Sequence, residues 1–227
     1  MPSRPFIITG SARSELAFTS RVYTALGVPC GHEDVFHTAA FERGGTLFWP
    51  PSLAGDATWY AAPVIGKLPA SSVVIHQVRN PLATIHDLYS SRFFERESAS
   101  RDFVQDFLPE TRLGGPLARC MRFWLEWHQM IEGAADYEDL IYRRYRVEHF
   151  DEYRACEQLA LLGVQQDAGK ARRAIEGLGG VPVRSQSPLT WDDLPDTRLA
   201  RDVKEAAARY GYVVSDSGAI QSPSWPA

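Results

Sequence analysis

A short apolar run that ends in a glycine-centred turn and leads straight into a helix is the strongest constraint on the fold. Phe6 to Ile8 predicts a buried strand, and Thr9 to Ser11 predicts a tight turn. A helix is expected from about Ser14 to Leu26, because apolar residues recur there at helical spacing. Those residues are Leu16, Phe18, Val22 and Leu26.

Strands and helices continue to alternate along the chain. The apolar pattern predicts a further strand over Val73 to Val78, and another strand is expected over Tyr142 to Val147 despite its three arginines. Helices are expected over Asp56–Leu68 (broken near Pro63), Pro81–Tyr89, Pro116–Ile131, two or three within 150–178, and Thr197–Tyr210. This order predicts an α/β fold of three layers, with a central parallel sheet between helices. We expect one domain over residues 1–214 and a flexible C-terminal tail over 215–227.

Net charge, cysteine spacing and hydropathy limit the kinds of partner and the cellular compartment that we expect for this protein. The formal charge of −4 gives no global basic field, so neither nucleic acid nor an anionic membrane is expected as a partner. Cys30, Cys120 and Cys156 show no CxxC spacing, which favours a reducing cytoplasm. The N-terminus lacks the pattern of a signal peptide, and no apolar run is long enough to span a bilayer.

The turn after the first strand has the chemistry of an anion site. Backbone N–H groups at the start of a helix point at a bound anion, and the helix dipole favours negative charge there. Arg13 adds a guanidinium suited to phosphate or sulfate oxygens, and Ser14 adds a hydroxyl donor. A Walker A motif would need glycine at Glu15 and lysine at Leu16, so a P-loop kinase is disfavoured.

The segment Ile7 to Ser14 resembles the 5′-phosphosulfate loop of P-loop sulfotransferases, which usually reads Pro-Arg/Lys-Ser-Gly-Thr-Thr. Arg13 and Ser14 match the basic residue and the serine of that loop, while Glu15, Leu16 and Ala17 replace its glycine and two threonines. The resemblance implies that the loop binds 3′-phosphoadenosine 5′-phosphosulfate (PAPS) or its product, adenosine 3′,5′-bisphosphate (PAP). The implied ligands are Gly10, Ser11, Ala12, Arg13 and Ser14. A strand–helix turn without a ligand is the alternative.

The segment Val73 to Leu88, with Arg79 directly after the strand, resembles the 3′-phosphate motif of the same family. That motif has a strand, then Arg-Asn/Asp-Pro, then a helix with serine eight residues after the arginine; here Asp87 stands at the serine position. The resemblance implies that Arg79 and the Asp87 position contact the 3′-phosphate, and that Arg184 in the late loop is a second phosphate contact. The alternative is that Arg79 pairs with an acidic neighbour, such as Asp87 itself.

A candidate general base lies between these motifs. The segment Val28 to Phe36 resembles the Cys-Gly-Glu-Glu segment of protein-tyrosine sulfotransferases, and this likeness implies that Glu33 is the base and that Arg13 acts with it in catalysis. His32 is a competing base. A helix N-terminus that faces water is the plain alternative. No metal site is expected, because His32 and His37 are five residues apart and do not share a helical face.

These observations predict a sulfotransferase that moves a sulfuryl group from PAPS to a hydroxyl or amine of a small molecule. The alternative is a protein of this fold that has lost standard PAPS use, because Glu15 and Asp87 replace anion-binding residues in both motifs. Such a protein would perform different acid/base chemistry or bind a ligand. Trp49, Trp59 and Tyr60 line an acceptor pocket or belong to the core. The acceptor and the oligomeric state stay open, with a homodimer as one option.

Overall fold

The computed structural model describes residues 2, 4–42, 49–182, 188–195 and 197–214. Within them, helices flank a sheet of five parallel strands in the order β2-β3-β1-β4-β5. The strands are β1 (Phe6–Thr9), β2 (Cys30–His32), β3 (Gly55–Ala57), β4 (Val73–Val78) and β5 (Ile141–Arg146). The predicted α/β class with a parallel sheet is therefore confirmed.

The α-helices of the described residues match the helical periodicity in most places. They are α1 (Leu16–Ala25), α2 (Thr38–Glu42), α3 (Pro81–Ser90), α4 (Ala99–Phe107), α5 (Pro116–Glu132), α6 (Glu152–Leu161), α7 (Ala168–Gly177) and α8 (Arg198–Arg209). Asn80 caps α3, because its side-chain oxygen accepts from the backbone N–H groups of Leu82 and Ala83. Pro81 occupies the first helical position, where a missing N–H costs nothing.

The helix predicted over Asp56–Leu68 is wrong. Gly55–Ala57 is a strand that pairs with both β1 and β2, and Ala62–Lys67 is a 3-10 helix. A strand of this length derives its stability from its neighbours in the sheet rather than from its own sequence. The Cys30–His32 strand was not predicted either, since this segment was interpreted only as part of a site.

Both faces of the sheet are covered. His76 and Gln77 are consecutive on β4, so their side chains point to opposite faces. Gln77 accepts a hydrogen bond from Thr19 of α1 (2.7 Å), whereas His76 lies 2.7 Å from His128 of α5. Helix α1 therefore packs on one face and the C-terminal part of α5 on the other.

A chain of polar side chains crosses the core beside β4. Nδ1 of His76 is 2.7 Å from the Tyr142 hydroxyl, and its Nε2 is 2.7 Å from Nδ1 of His128. Both histidines are fully buried. Burial lowers the pKa of His76 well below its ordinary value and that of His128 to about 3, and Arg144 adds to both shifts. The two rings are thus neutral in the folded protein.

The chain divides into two compact units. One contains Met1–Val78 and Trp127–Val183, and it holds the sheet; the other contains Arg79–Glu126 and Arg184–Ala227. The single domain expected over residues 1–214 stays a prediction, and the tail over 215–227 lies outside the described residues. No helix in the described ranges is both long enough and apolar enough to cross a membrane.

Candidate functional site

The candidate residues follow the carboxyl ends of parallel strands. The strands end at Thr9 (β1), His32 (β2), Ala57 (β3) and Val78 (β4), and parallel pairing places these ends at one edge of the sheet. Ligands of open α/β sheets bind at this edge. The loop from Gly10 follows β1, Glu33 follows β2, and Arg79 follows β4 in the chain.

The loop over residues 10–15 is tightly constrained. A Cβ at Gly10 would overlap the backbone carbonyl oxygen of Gln77, so a residue without a side chain is needed there. Ser14 donates from its hydroxyl to the Ser11 carbonyl oxygen (2.5 Å), and the two hydroxyls are 3.1 Å apart. Both serines are buried, whereas Arg13 is exposed. The backbone conformation of the loop is therefore fixed, and the Arg13 side chain is exposed to solvent.

Two residues of this loop adopt the left-handed backbone conformation. The φ angles are 70° at Arg13 and 66° at Glu15. Glu15 stands where the resembling motif has glycine, the residue that adopts this conformation without a steric penalty. The backbone at this position thus keeps the geometry that glycine favours, although a carboxylate occupies it. In the described structure no side chain caps α1 at Glu15, which leaves the first turn to backbone geometry.

Gln77 braces the same loop and was missed in the sequence. Its side-chain amide donates to the Ser14 carbonyl oxygen, and its Oε1 accepts from Thr19 and Tyr145. The side chain is fully buried. A glutamine inside a strand that is apolar except for His76 and Gln77 was the available signal, because a buried amide requires partners.

Arg79 is engaged with Asp87 in this structure. Nη1 of Arg79 lies 2.7 Å from Oδ2 of Asp87, and the arginine side chain is only 3% exposed. Eight residues separate the two, which places Asp87 two turns into α3. The alternative pairing considered for Arg79 is therefore the one observed. Arg184, the expected second phosphate contact, lies outside the described residues.

Glu33 occupies a strained position directly after β2. Its φ angle is 61°, in the left-handed region, and its side chain is half-buried. Hydrogen bonding by the Trp59 indole is one of the influences on the pKa of this carboxyl. Burial raises the pKa of Glu33 above its ordinary value, and the nearby Asp56 carboxylate raises it further; His32, the Trp59 bond and His37 act in the opposite direction.

His32, the competing candidate for the base, is held differently. Its side chain is exposed, and Nδ1 lies 2.8 Å from the Ala57 carbonyl oxygen. That contact fixes the proton on Nδ1 in the neutral ring, because a carbonyl accepts only. The segment from His32 to Asp34 is not a helix N-terminus, since α2 begins at Thr38.

The aromatic residues near Glu33 belong to the core of the first unit. Trp59 and Tyr60 are each 6% exposed, and Trp59 packs against Trp127 with ring centroids 5.5 Å apart. The Trp127 indole donates to the Trp59 carbonyl oxygen (3.0 Å). In the described part of the chain, no group of three or more His, Cys, Asp or Glu side chains is arranged to hold a metal ion.

The fold is sulfotransferase-like, with a central sheet of five parallel strands flanked by helices. Among solved structures, the chain is similar to a sulfotransferase domain from the curacin biosynthetic pathway. The TM-score is 0.54 at 17% identity, and the match covers 95% of this chain and 99% of that chain. No protein-family model matches the sequence, and no curated protein matches it.

Proposed function

We propose that this protein is a sulfotransferase that moves a sulfuryl group from PAPS to a hydroxyl or amine of a small molecule. The observation that carries the proposal is the loop at residues 10–15, in a chain whose fold is similar to a sulfotransferase domain. Gly10 and Gln77 fix the loop backbone ahead of α1, and Arg13 provides an exposed cation. This combination suits the 5′-phosphosulfate, since backbone N–H groups and a guanidinium both bind such anions.

Glu33 is the proposed general base. Strand β3 lies between β2 and β1, so Glu33 follows a strand about 10 Å from β1, two strand spacings away. An acceptor of a few atoms bridges such a distance to the loop. The raised pKa of the Glu33 carboxyl makes it a stronger base than an exposed glutamate. His32 is the second candidate for this role.

In the proposed reaction, an acceptor oxygen attacks sulfur while Glu33 takes the proton from that oxygen. The bond between sulfur and the 5′-phosphate oxygen breaks, and PAP leaves with both electrons of that bond. Arg13 and the loop N–H groups then offset the charge that accumulates on the leaving phosphate. Arg79 is the proposed ligand of the 3′-phosphate, and engaging it requires the guanidinium to exchange Asp87 for phosphate oxygens.

One observation favours the alternative, a protein of this fold that no longer uses PAPS. The Arg79 guanidinium is already paired with Asp87, and a carboxylate beside a phosphate dianion is repulsive. Under that alternative, Glu33 or His32 serves different acid/base chemistry, or the chain binds a ligand without turnover.

Calorimetric titration with PAP separates the two functions. A sulfotransferase binds PAP, and Arg79→Ala weakens binding at least tenfold, while Arg112→Ala, an exposed arginine of the same unit, does not. Absence of PAP binding in the native protein, with binding gained in the Glu15→Gly, Asp87→Ser double variant, supports the alternative. With PAPS and 2-naphthol as the acceptor probe, Glu33→Gln abolishes transfer and leaves PAP affinity unchanged. If transfer survives in Glu33→Gln but not in His32→Gln, the base is His32.

A further inference from the structure

Asp56 is a buried carboxylate that binds the backbone of the segment carrying Glu33. It lies in the middle of β3, with no exposed surface. Oδ1 accepts from the backbone N–H of Asp34 (3.2 Å), and Oδ2 accepts from those of Val35 and Phe36 (3.1 Å each). Consecutive N–H groups that converge on one anion form a concave nest, here filled by a side chain of the protein itself.

Other contacts hold the same segment to β3 and the residue after it. The Glu33 N–H donates to the Ala57 carbonyl oxygen (3.3 Å), and the Thr58 hydroxyl donates to the Phe36 carbonyl oxygen (3.0 Å). Glu33 thus keeps its left-handed φ of 61° because the backbone on both sides of it is fixed.

Gly31 makes room for this arrangement. A Cβ at Gly31 would lie 2.7 Å from Oδ1 of Asp56 and 2.7 Å from Oδ2 of Asp34. Both carboxylates therefore occupy the space that a side chain on β2 would fill. Any larger residue at this position must displace one of these two carboxylates or both.

The charge of Asp56 also acts on Glu33. Burial raises the pKa of Asp56, while the hydrogen bonds from the three N–H groups oppose that rise by stabilising the anion. In its ionised form Asp56 is a fixed negative charge near the Glu33 carboxyl, and it is one of the causes that raise the pKa of Glu33. The titratable groups that act on the Glu33 carboxyl are His32, His37 and Asp56.

We propose that Asp56 is the positioning residue of the Glu33 base: it fixes the backbone turn that presents Glu33, and its charge holds Glu33 ready to accept a proton. This inference rests on the proposed function of Glu33. It differs from a purely structural role in one measurable respect. A structural anchor sets stability and the position of Glu33, whereas a positioning residue also sets the pH at which Glu33 loses its proton.

The test compares Asp56→Asn with Thr58→Val and with Asp167→Asn. Asn keeps the shape of Asp56 but removes its charge and weakens the nest. Thr58→Val removes a neutral hydrogen bond to the same turn. Asp167→Asn is the matched control, an aspartate that accepts a backbone N–H at the start of α7. The readouts are PAP affinity, transfer to 2-naphthol as a function of pH, and the Glu33 titration followed by carbon NMR, with Glu33→Gln assigning the signal.

In Asp56→Asn we expect transfer to fall at least tenfold with PAP affinity kept within about twofold. The acidic limb of the pH profile and the Glu33 titration both move to lower pH by about half a unit or more, because a nearby negative charge is gone. Thr58→Val lowers transfer without moving the titration, and Asp167→Asn changes neither.

An unmoved Glu33 titration in Asp56→Asn overturns the proposal, as does a loss of PAP affinity equal to the loss of transfer. If the Asp56→Asn variant does not fold, the test rests on Thr58→Val. Sulfuryl transfer that is unchanged in Thr58→Val also overturns the proposal. Failure of the proposed function has a different signature. The native protein then shows neither PAP binding nor transfer, while the Glu33 titration still reports whether Asp56 acts on it.

Discussion

Arg79 and Asp87 form an ion pair in which the guanidinium is almost wholly buried and the carboxylate is 30% exposed, with Nη1 and Oδ2 2.7 Å apart. The resemblance places serine at the Asp87 position and a phosphate opposite the arginine. In the structure, the Asp87 carboxylate therefore occupies the side of the Arg79 guanidinium that a 3′-phosphate would need. Under the proposed function, PAP therefore competes with this internal anion for Arg79.

Replacing Asp87 with serine is expected to strengthen PAP binding by about tenfold, equal to ~1.4 kcal/mol. The same change lowers the free energy of unfolding without ligand by roughly 1–3 kcal/mol, because a buried guanidinium loses the Asp87 carboxylate. Calorimetry and urea unfolding measure the two effects. Asp102→Ser, which removes an exposed partner of Arg101, is the control and changes neither. Weaker PAP binding in Asp87→Ser would show that Asp87 helps to hold the nucleotide.

Gly10→Ala is expected to destabilise the protein by about 2–3 kcal/mol, because the new Cβ overlaps the Gln77 carbonyl oxygen in a packed interior. Gly133→Ala is the matched control. A Cβ there meets nothing within 4 Å, and we expect a change of no more than about 0.5 kcal/mol. Urea unfolding of both variants checks the prediction, and equal losses would contradict the close approach of β4 to the loop.

At Glu15, glycine is expected to be more stable than alanine by about 1 kcal/mol, the reverse of the usual order near a helix. The φ angle of 66° penalises any residue with a Cβ, and both variants lose the same carboxylate. Thermal unfolding of Glu15→Gly and Glu15→Ala measures the difference directly. If alanine is the more stable of the two, the backbone at Glu15 is not left-handed in solution.

Stability is expected to fall as the pH drops from about 6.5 toward 3. His76 and His128 are neutral when folded, since burial lowers the pKa of both rings, whereas the unfolded chain binds a proton on each near pH 6.5. The unfolded state therefore binds more protons in this window, and acid favours it. Each histidine contributes up to about 1.4 kcal/mol per pH unit.

Urea unfolding between pH 7.5 and 4 measures this slope. In His128→Gln one titrating ring is gone, while an amide oxygen remains to accept from His76, so the histidine contribution to the slope should fall to about half. A slope identical to that of the native protein would mean that His128 is not the buried neutral ring described above.

Much of the architecture could be predicted from the sequence. The strand over Val73–Val78 was predicted with its observed bounds, and the start of α3 at Pro81 was predicted from its proline. The strand is six residues long, and the helix start is set by Asn80 and Pro81, which act on adjacent residues. The three-residue strand at Gly55–Ala57 could not be predicted in the same way, because β1 and β2, far away in the chain, hold it in the sheet.

The candidate site was only partly accessible to sequence reasoning. Glu33 and the loop at residues 10–14 were identified through short motifs, and their roles stay predictions. Asp56 and Gln77 were missed, since each acts on backbone groups of a distant segment, through contacts that no spacing in the sequence reveals. Asp56 was also assigned to the wrong element, which hid its position beside Glu33.

The hydrogen bond between His76 and His128 also links the tautomers of the two rings. One proton lies between Nε2 of the first ring and Nδ1 of the second, and Tyr142 occupies the remaining nitrogen of His76. In one arrangement the Tyr142 hydroxyl donates to Nδ1 of His76, and Nε2 of His76 donates to Nδ1 of His128. In the other, Nδ1 of His128 donates to Nε2 of His76, and Nδ1 of His76 donates to the Tyr142 oxygen. Neither imidazole can therefore switch tautomer alone. Reversing the hydrogen bond at the partly exposed Tyr142 hydroxyl also reverses the tautomer of His128, which has no exposed surface.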